Sequence, residues 1–259
     1  MKLGTVTYNI AKDWDVPTII KNLKECKFEG VELRTTHAHK VEIKLSAEER
    51  RDIRRKFEDG EIEIAGLGTT CEYQAEDKAV VKKNVEETKD WIKLAHDLGC
   101  PGVKVRPNGL PRGASLDDTL KQIGDALREC GEFGLGYGVH VRVEVHGAVT
   151  QELPNIKKIM DHAAHDNVLV CWNSNDTDLD KPAKDGAPLS VEKNFKLVAH
   201  KIAAVHMRDL FIENYPWRQL FRLLKGSGFE GYCFAEIPDS PDPIRVLKYY
   251  RALWLAYQA

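Results

Sequence analysis

Eight short runs rich in valine and isoleucine punctuate the chain, at residues 3–9, 31–35, 62–68, 102–106, 139–146, 168–173, 203–208 and 232–237. They recur at intervals of roughly thirty to forty residues, leaving room for one helix between neighbours and one after the last, the pattern of βαβ units and a parallel sheet. The intervening stretches carry helical periodicity. Val81, Val85, Thr88, Ile92 and Ala95 fall on one face, as do Leu116, Leu120, Ile123, Leu127 and Cys130. Ser46 with Glu49, and Ser115 with Asp118, have the spacing of capping boxes, while Gly30, Gly60, Gly99 and Gly231 stand where helices end on a left-handed residue. Such a sheet can stay open or close. An open nucleotide-binding sheet carries a glycine-rich loop after its first strand, whereas here the first strand runs into Tyr8-Asn9-Ile10-Ala11-Lys12. With no linker or composition break to divide the chain, the expectation is a single (β/α)₈ barrel domain over residues 1–259. Its least regular stretch is a long loop over residues 173–189, after the sixth strand.

Charge narrows the partners. Lys and Arg total 38 against 40 Asp and Glu, a net charge of -2. That balance argues against a nucleic-acid partner, which calls for a basic face, and gives no reason for attachment to an anionic membrane. The first residues have no apolar core of a signal peptide, and no run approaches the length of a membrane span, so a cytoplasmic location is expected. The six cysteines are scattered without a C-x-x-C pair and read as reduced, mostly buried residues. Tyr249, Tyr250, Trp254 and Tyr257 in the last helix suit packing on the barrel, or an interface with a second copy of the chain.

In a barrel of this kind, side chains at the C-terminal ends of strands face the active site. Alternation along Val141-Arg142-Val143-Glu144-Val145-His146 puts the valines on the helix-packed outside and Arg142, Glu144 and His146 inside. The sixth strand ends at Asn173, the seventh carries His206 and Arg208 on one face, and the eighth ends at Glu236. Glu144, Asn173, His206 and Glu236 therefore come from four consecutive strands, at the same end of each. Two carboxylates, an imidazole and an amide oxygen form a hard, mixed donor set, for Mn²⁺ first, with Mg²⁺, Co²⁺ and Zn²⁺ also admissible. A cation would also relieve the repulsion between two buried glutamates. A purely structural reading pairs Glu144 with Arg142 or Arg208 and leaves His206 as a hydrogen-bonded core residue.

These segments resemble the xylose-isomerase-like superfamily of sugar isomerases and epimerases, which also holds inosose dehydratases and an AP endonuclease branch. The resemblance runs through Phe28-Glu29-Gly30-Val31-Glu32-Leu33, Glu144-Val145-His146-Gly147, Val205-His206-Met207-Arg208-Asp209 and the approach from Gly228 to Glu236, and so covers nearly the whole chain. It implies metal ligands at Glu144, Asn173, His206 and Glu236. The chain departs from the family's pattern at Arg208, where lysine is usual. It departs again in the sixth strand, where the family has Asp followed by a His three residues on, and this chain has Asn173 and Asp176. An amide ligates without charge, and Asp176 can compensate if its loop folds back. The endonuclease branch needs a denser histidine cluster than strands three and four offer here.

The resemblance implies proton abstraction beside a carbonyl, through an enediolate, with Glu144 and Glu236 exchanging the proton and a sugar or polyol as substrate. Arg208, His146, Arg106, Asp176, His37 and Trp14 are the candidates for substrate contact. An inward Arg suits a carboxylate, phosphate or hydroxyl pair, Trp14 suits stacking on a sugar face, and Arg106 is equally suited to an ion pair with Glu32. His146 suits a substrate hydrogen bond or support of a metal ligand. Two alternatives stand beside the isomerase or epimerase: a lyase or dehydratase acting on a keto-sugar or inosose, and a non-catalytic carbohydrate-binding barrel whose metal site has degraded.

Overall fold

A computed structural model describes residues 1–180 and 188–259; residues 181–187, within the long loop expected after the sixth strand, lie outside the described residues. The strands are β1 (Lys2–Val6), β2 (Gly30–Arg34), β3 (Glu63–Glu72), β4 (Gly102–Arg106), β5 (His140–Glu144), β6 (Val168–Asn173), β7 (Ile202–Met207) and β8 (Tyr232–Ala235). All pair in parallel, each with its sequence neighbour, and β8 returns to β1 to close the barrel. Around it lie α1 (Val16–Cys26), α2 (Ala47–Asp59), α3 (Lys78–Leu98), α4 (Leu116–Leu135), α5 (Leu153–Ala163), α6 (Glu192–Val198), α7 (Trp217–Gly226) and α8 (Pro243–Gln258). Closure removes the sheet edges that an open arrangement would leave to be covered.

Hydrophobic burial is divided between two compartments. The larger lies between sheet and helices and takes the outward residues of the strands, including Val141, Val143 and Val145, together with helical faces such as Val85, Ile92 and Ala95. The smaller fills the barrel itself with Val6, Ala65, Cys171, Ala204, Tyr232 and Phe234. Tyr232 and Phe234 stack at 5.3 Å between ring centroids and 13° between planes. Their rings lie against Gly30 and Gly4, where any Cβ would come within 2.7 Å of them. The stacked pair plugs the interior of the barrel beneath its C-terminal mouth.

The local signals held in part. Ser46 and Glu49 form the full capping box of α2, and Ser115 caps α4. Of the four glycines expected to be left-handed, Gly99 is, at φ 70°. Gly60 ends α2 at φ -80°, α1 closes on Lys27 at φ 59° with Gly30 already in β2, and the left-handed residue after α7 is Gly228 rather than Gly231. The third strand runs past Gly68 to Glu72, longer than its valine-poor sequence suggests, with an irregularity in its pairing to β4. Trp172 and Trp217 pack in the larger core. So do Tyr250 and Trp254 of α8, whereas Tyr249 is exposed. All six cysteines are buried and unpaired. Among the described residues no helix is long and apolar enough to cross a membrane.

Candidate active site

The C-terminal ends of the strands open into a cleft of about 470 Å³. Alternation along β5 places Glu144 there, against the inward face of β6. Glu144, His206 and Glu236 each present a donor atom, and these atoms lie within 4.8 Å of one another. The imidazole of His206 is fully buried, standing edge-on to Phe234. Its Nε2 meets the carboxylate of Glu32 at 3.2 Å. Its Nδ1 lies 3.3 Å from Glu144 Oε1 and 3.5 Å from Glu236 Oε2, yet makes no hydrogen bond among the described residues. With Nε2–H directed at Glu32, the Nδ1 lone pair converges with those of two carboxylates. Only a proton or a cation among them satisfies that arrangement. Burial works against charge on His206, but the neighbouring Cys171, Glu32 and Glu236 outweigh it and raise the imidazolium's pKa well above its ordinary value. The donor set and the orphaned Nδ1 therefore fit a divalent ion held by Glu144, His206 and Glu236.

Lys104, absent from the sequence-based candidates, and Glu32, named there only as a partner for Arg106, complete the floor. Lys104, on β4, is buried and donates from Nζ to Glu144 Oε2 at 2.7 Å. Glu32, on β2, is wholly buried beneath His206. Its carboxylate occupies the space that side chains at 66 and 68 would fill: a Cβ on Gly68 would stand 2.9 Å from Glu32 Oε1. Burial opposes ionisation of Glu144, but Lys104 and His206 hold its carboxyl well below the usual carboxylate range. Glu32 is likewise held low against burial, by His206, Lys104 and Arg142. Lys104 is raised above its ordinary value by Glu144, Glu32 and Glu236, again against burial. The floor is thus a lattice of alternating charges, each offsetting the desolvation of the next.

Asn173 stands beside this group. Its Nδ2 donates to Glu144 Oε1 at 3.3 Å and its Oδ1 accepts from the Ser174 amide at 3.0 Å. Asp176 does not join the carboxylate–imidazole trio; it is exposed and pairs with Arg208 at 2.7 Å. Arg208 and His146 both line the cleft, Arg208 resting on the Tyr215 ring at 5.3 Å. The turn after His146 needs Gly147, at φ 102°, because a Cβ there would come within 2.2 Å of the Asn108 backbone. Arg106 also lines the cleft, but its partner is Glu72, not Glu32. The extension of β3 brings Glu72 into register with Arg106, and Asn108 Nδ2 donates to the same carboxylate at 2.6 Å. Arg142 points inward below the cleft and donates to His140 Nε2 at 2.6 Å rather than pairing with Glu144.

Trp14 and His37 are not among the residues that line the cleft, though His37 stands directly behind Tyr8, which is. Trp14 packs against the larger core. His37 stacks on Tyr8 at 6.2 Å and bonds Thr7 Oγ1 through Nδ1 at 3.0 Å. Burial lowers its pKa to about 4. His39 is fixed more firmly: Nε2 donates to the Arg34 carbonyl at 2.9 Å, and Nδ1 accepts from the Val41 amide at 3.0 Å. Both nitrogens are committed to the neutral tautomer, and burial lowers this group also to about 4. A folded-state value below the unfolded 6.5 means the unfolded chain binds the proton first. Stability from His39 is then complete above pH 6.5 and is lost as pH falls towards 4, by about 3 kcal/mol in all. Urea midpoints between pH 7 and pH 4.5 should fall less steeply in His39→Gln than in the unsubstituted protein; identical slopes would remove His39 as the cause.

A charged floor under an open mouth at the C-terminal face of a (β/α)₈ barrel lies where enzymes of that fold carry their active sites. Residues 20–253 match the family model described as xylose isomerase-like TIM barrel, and the chain belongs to that family. Among solved structures it is similar to the 3-keto-D-glucoside 4-epimerase YcjR from E. coli, with 16% identity over 99% of each chain and a TM-score of 0.78. It is similar to an L-ribulose 3-epimerase at 16% identity, over 99% of this chain and 94% of that one, with a TM-score of 0.79. A third is the IolI protein with a bound zinc atom, at 16% identity over 100% and 98% of the two chains and a TM-score of 0.76. At these identities the likeness is one of fold. No curated protein matches the sequence.

Proposed function

We propose that this chain is a divalent-metal-dependent sugar or polyol isomerase or epimerase, acting by proton transfer beside a carbonyl through an enediolate. The observation that carries the reading is the buried Nδ1 of His206, without a hydrogen bond and facing Glu144 and Glu236. The similarity in fold to sugar epimerases supports it. Glu144, His206 and Glu236 would hold the cation, Asn173 being the fourth candidate ligand. A bound cation would supply Lewis acidity, polarising a carbonyl so that the neighbouring C–H becomes acidic.

The chain's own groups divide the remaining work by their burial. Glu236 is partly exposed on the cleft wall and accepts the substrate proton. Glu144 is buried and held ionised by Lys104, so it would help hold the cation, and the proton returned to the substrate is the one Glu236 took. Glu32 fixes the tautomer and orientation of His206. Arg208 and His146, on the wall, bind the substrate's hydroxyl or anionic groups.

The reading is tested by incubating the Mn²⁺-loaded and chelator-treated protein with a panel of keto-sugars in deuterated water. Deuterium entering at the carbon beside the carbonyl, only with metal and with simple rearrangement, supports the proposal. Loss of water or cleavage would make the protein a lyase, and no exchange with any member would leave a binding protein. Asn173→Asp should tighten Mn²⁺ binding on the order of tenfold, because affinity follows the charge of the ligand set. Calorimetric titration with Mn²⁺ checks this, and unaltered affinity would remove position 173 from the ligands.

A further inference from the structure

Lys104 is at odds with an ordinary divalent site. Its ammonium is buried at the cleft floor, and the one hydrogen bond it makes among the described residues goes to Glu144, a candidate ligand, at 2.7 Å. A fixed positive charge on a ligand repels an incoming cation, the more so where water is largely excluded. Position 173 acts in the same direction, because its amide carries no charge where a carboxylate would. We propose that Lys104 sets the cation affinity of the Glu144–His206–Glu236 site, competing with the ion for Glu144 and holding binding weak and exchangeable. The inference rests on the reading of those three residues as cation ligands.

Among the described residues the Lys104 ammonium has no other hydrogen-bond partner. Its backbone carbonyl accepts from Thr69 Oγ1 at 2.9 Å, which fixes the strand but not the ammonium. In sheet register it lies beside Gly68, which has no side chain to shield it. Glu32 and Glu236 stabilise its charge from further away. A cation entering between Glu144 and Glu236 therefore meets a positive group already seated on one of the two.

The test is equilibrium dialysis against Mn²⁺ alone, with metal counted by mass spectrometry, on the whole protein and on Lys104→Gln and Lys104→Arg. Lys104→Gln keeps a donor for Glu144 and removes the charge; it should bind Mn²⁺ at least about tenfold more tightly. Lys104→Arg keeps the charge and should show no such gain. Equal or weaker binding by Lys104→Gln, with native circular dichroism, overturns the inference and leaves the metal reading standing. Binding by Lys104→Gln but not by the unsubstituted protein supports the inference and overturns native metal dependence. Binding by neither overturns both. Should Lys104→Gln fail to fold, the unsubstituted protein labelled with ¹³C at lysine Cε supplies the readout during Mg²⁺ titration. The Lys104 resonance should move as the ion is taken up; uptake without that movement, or no uptake, counts against the inference.

Discussion

Glu236→Gln is expected to lower kcat/KM on the order of 10²–10⁴-fold, the usual cost of removing a group that transfers a proton. It should also lose Mn²⁺ binding while leaving the fold almost as stable as before. The reason lies in its position. Glu236 is partly exposed and, among the described residues, makes no hydrogen bond to a neighbouring cation, its nearest charged contact being His206 at 3.5 Å. Glu144→Gln should lose as much activity but also stability, because it leaves the buried ammonium of Lys104 without its partner. Deuterium exchange on an accepted keto-sugar measures the first effect, and urea unfolding separates the two variants. Full turnover by Glu236→Gln in the presence of metal would defeat the proposed proton transfer.

The second large effect concerns Glu32. Glu32→Ala is expected to destabilise the protein by about 3–5 kcal/mol, the range for breaking a buried pair and stranding its partners. Glu32 is the common counter-charge of His206, Lys104 and Arg142 and is wholly buried. The glycines at 66 and 68 leave its site with no side chain able to move in and replace the lost charge. Metal should recover part of the deficit, since a ligand binding only the folded state stabilises by mass action. Unfolding curves with and without Mn²⁺ check both statements. A loss below about 1 kcal/mol would show that the carboxylate is dispensable to the lattice.

The barrel was legible from period and spacing, because a parallel sheet buried on both faces leaves valine-rich runs that few other arrangements produce. Glu144, His206 and Glu236 were legible because side chains alternate along a strand, so a polar residue between two apolar ones, as in Val143-Glu144-Val145, Val205-His206-Met207 and Ala235-Glu236-Ile237, points into the barrel. The same rule applied to Val103-Lys104-Val105 and Val31-Glu32-Leu33, so Lys104 and Glu32 could have been found from the sequence. What alternation does not give is depth. The tilt and stagger of the strands decide which inward residues reach the mouth and which stay beneath it. Lys104 and Glu32 meet Glu144 and His206 at the floor, whereas Arg106, two residues further on, rises to the wall and pairs with Glu72. Glu72 itself was hidden because β3 continues through Gly66 and Gly68, residues that read as a strand's end. Trp14, His37 and Asp176 fall in loops, where no periodicity fixes direction; the first two turn to packing partners and the third to Arg208.

Among the described residues, the stacked rings of Tyr232 and Phe234 fill the barrel interior beneath the cleft. Under the proposed reaction, reactant and product would share the mouth of the cleft, so one should inhibit the passage of the other. Closing that mouth, by the substrate's own bulk, would then be enough to isolate the reacting carbon from bulk solvent.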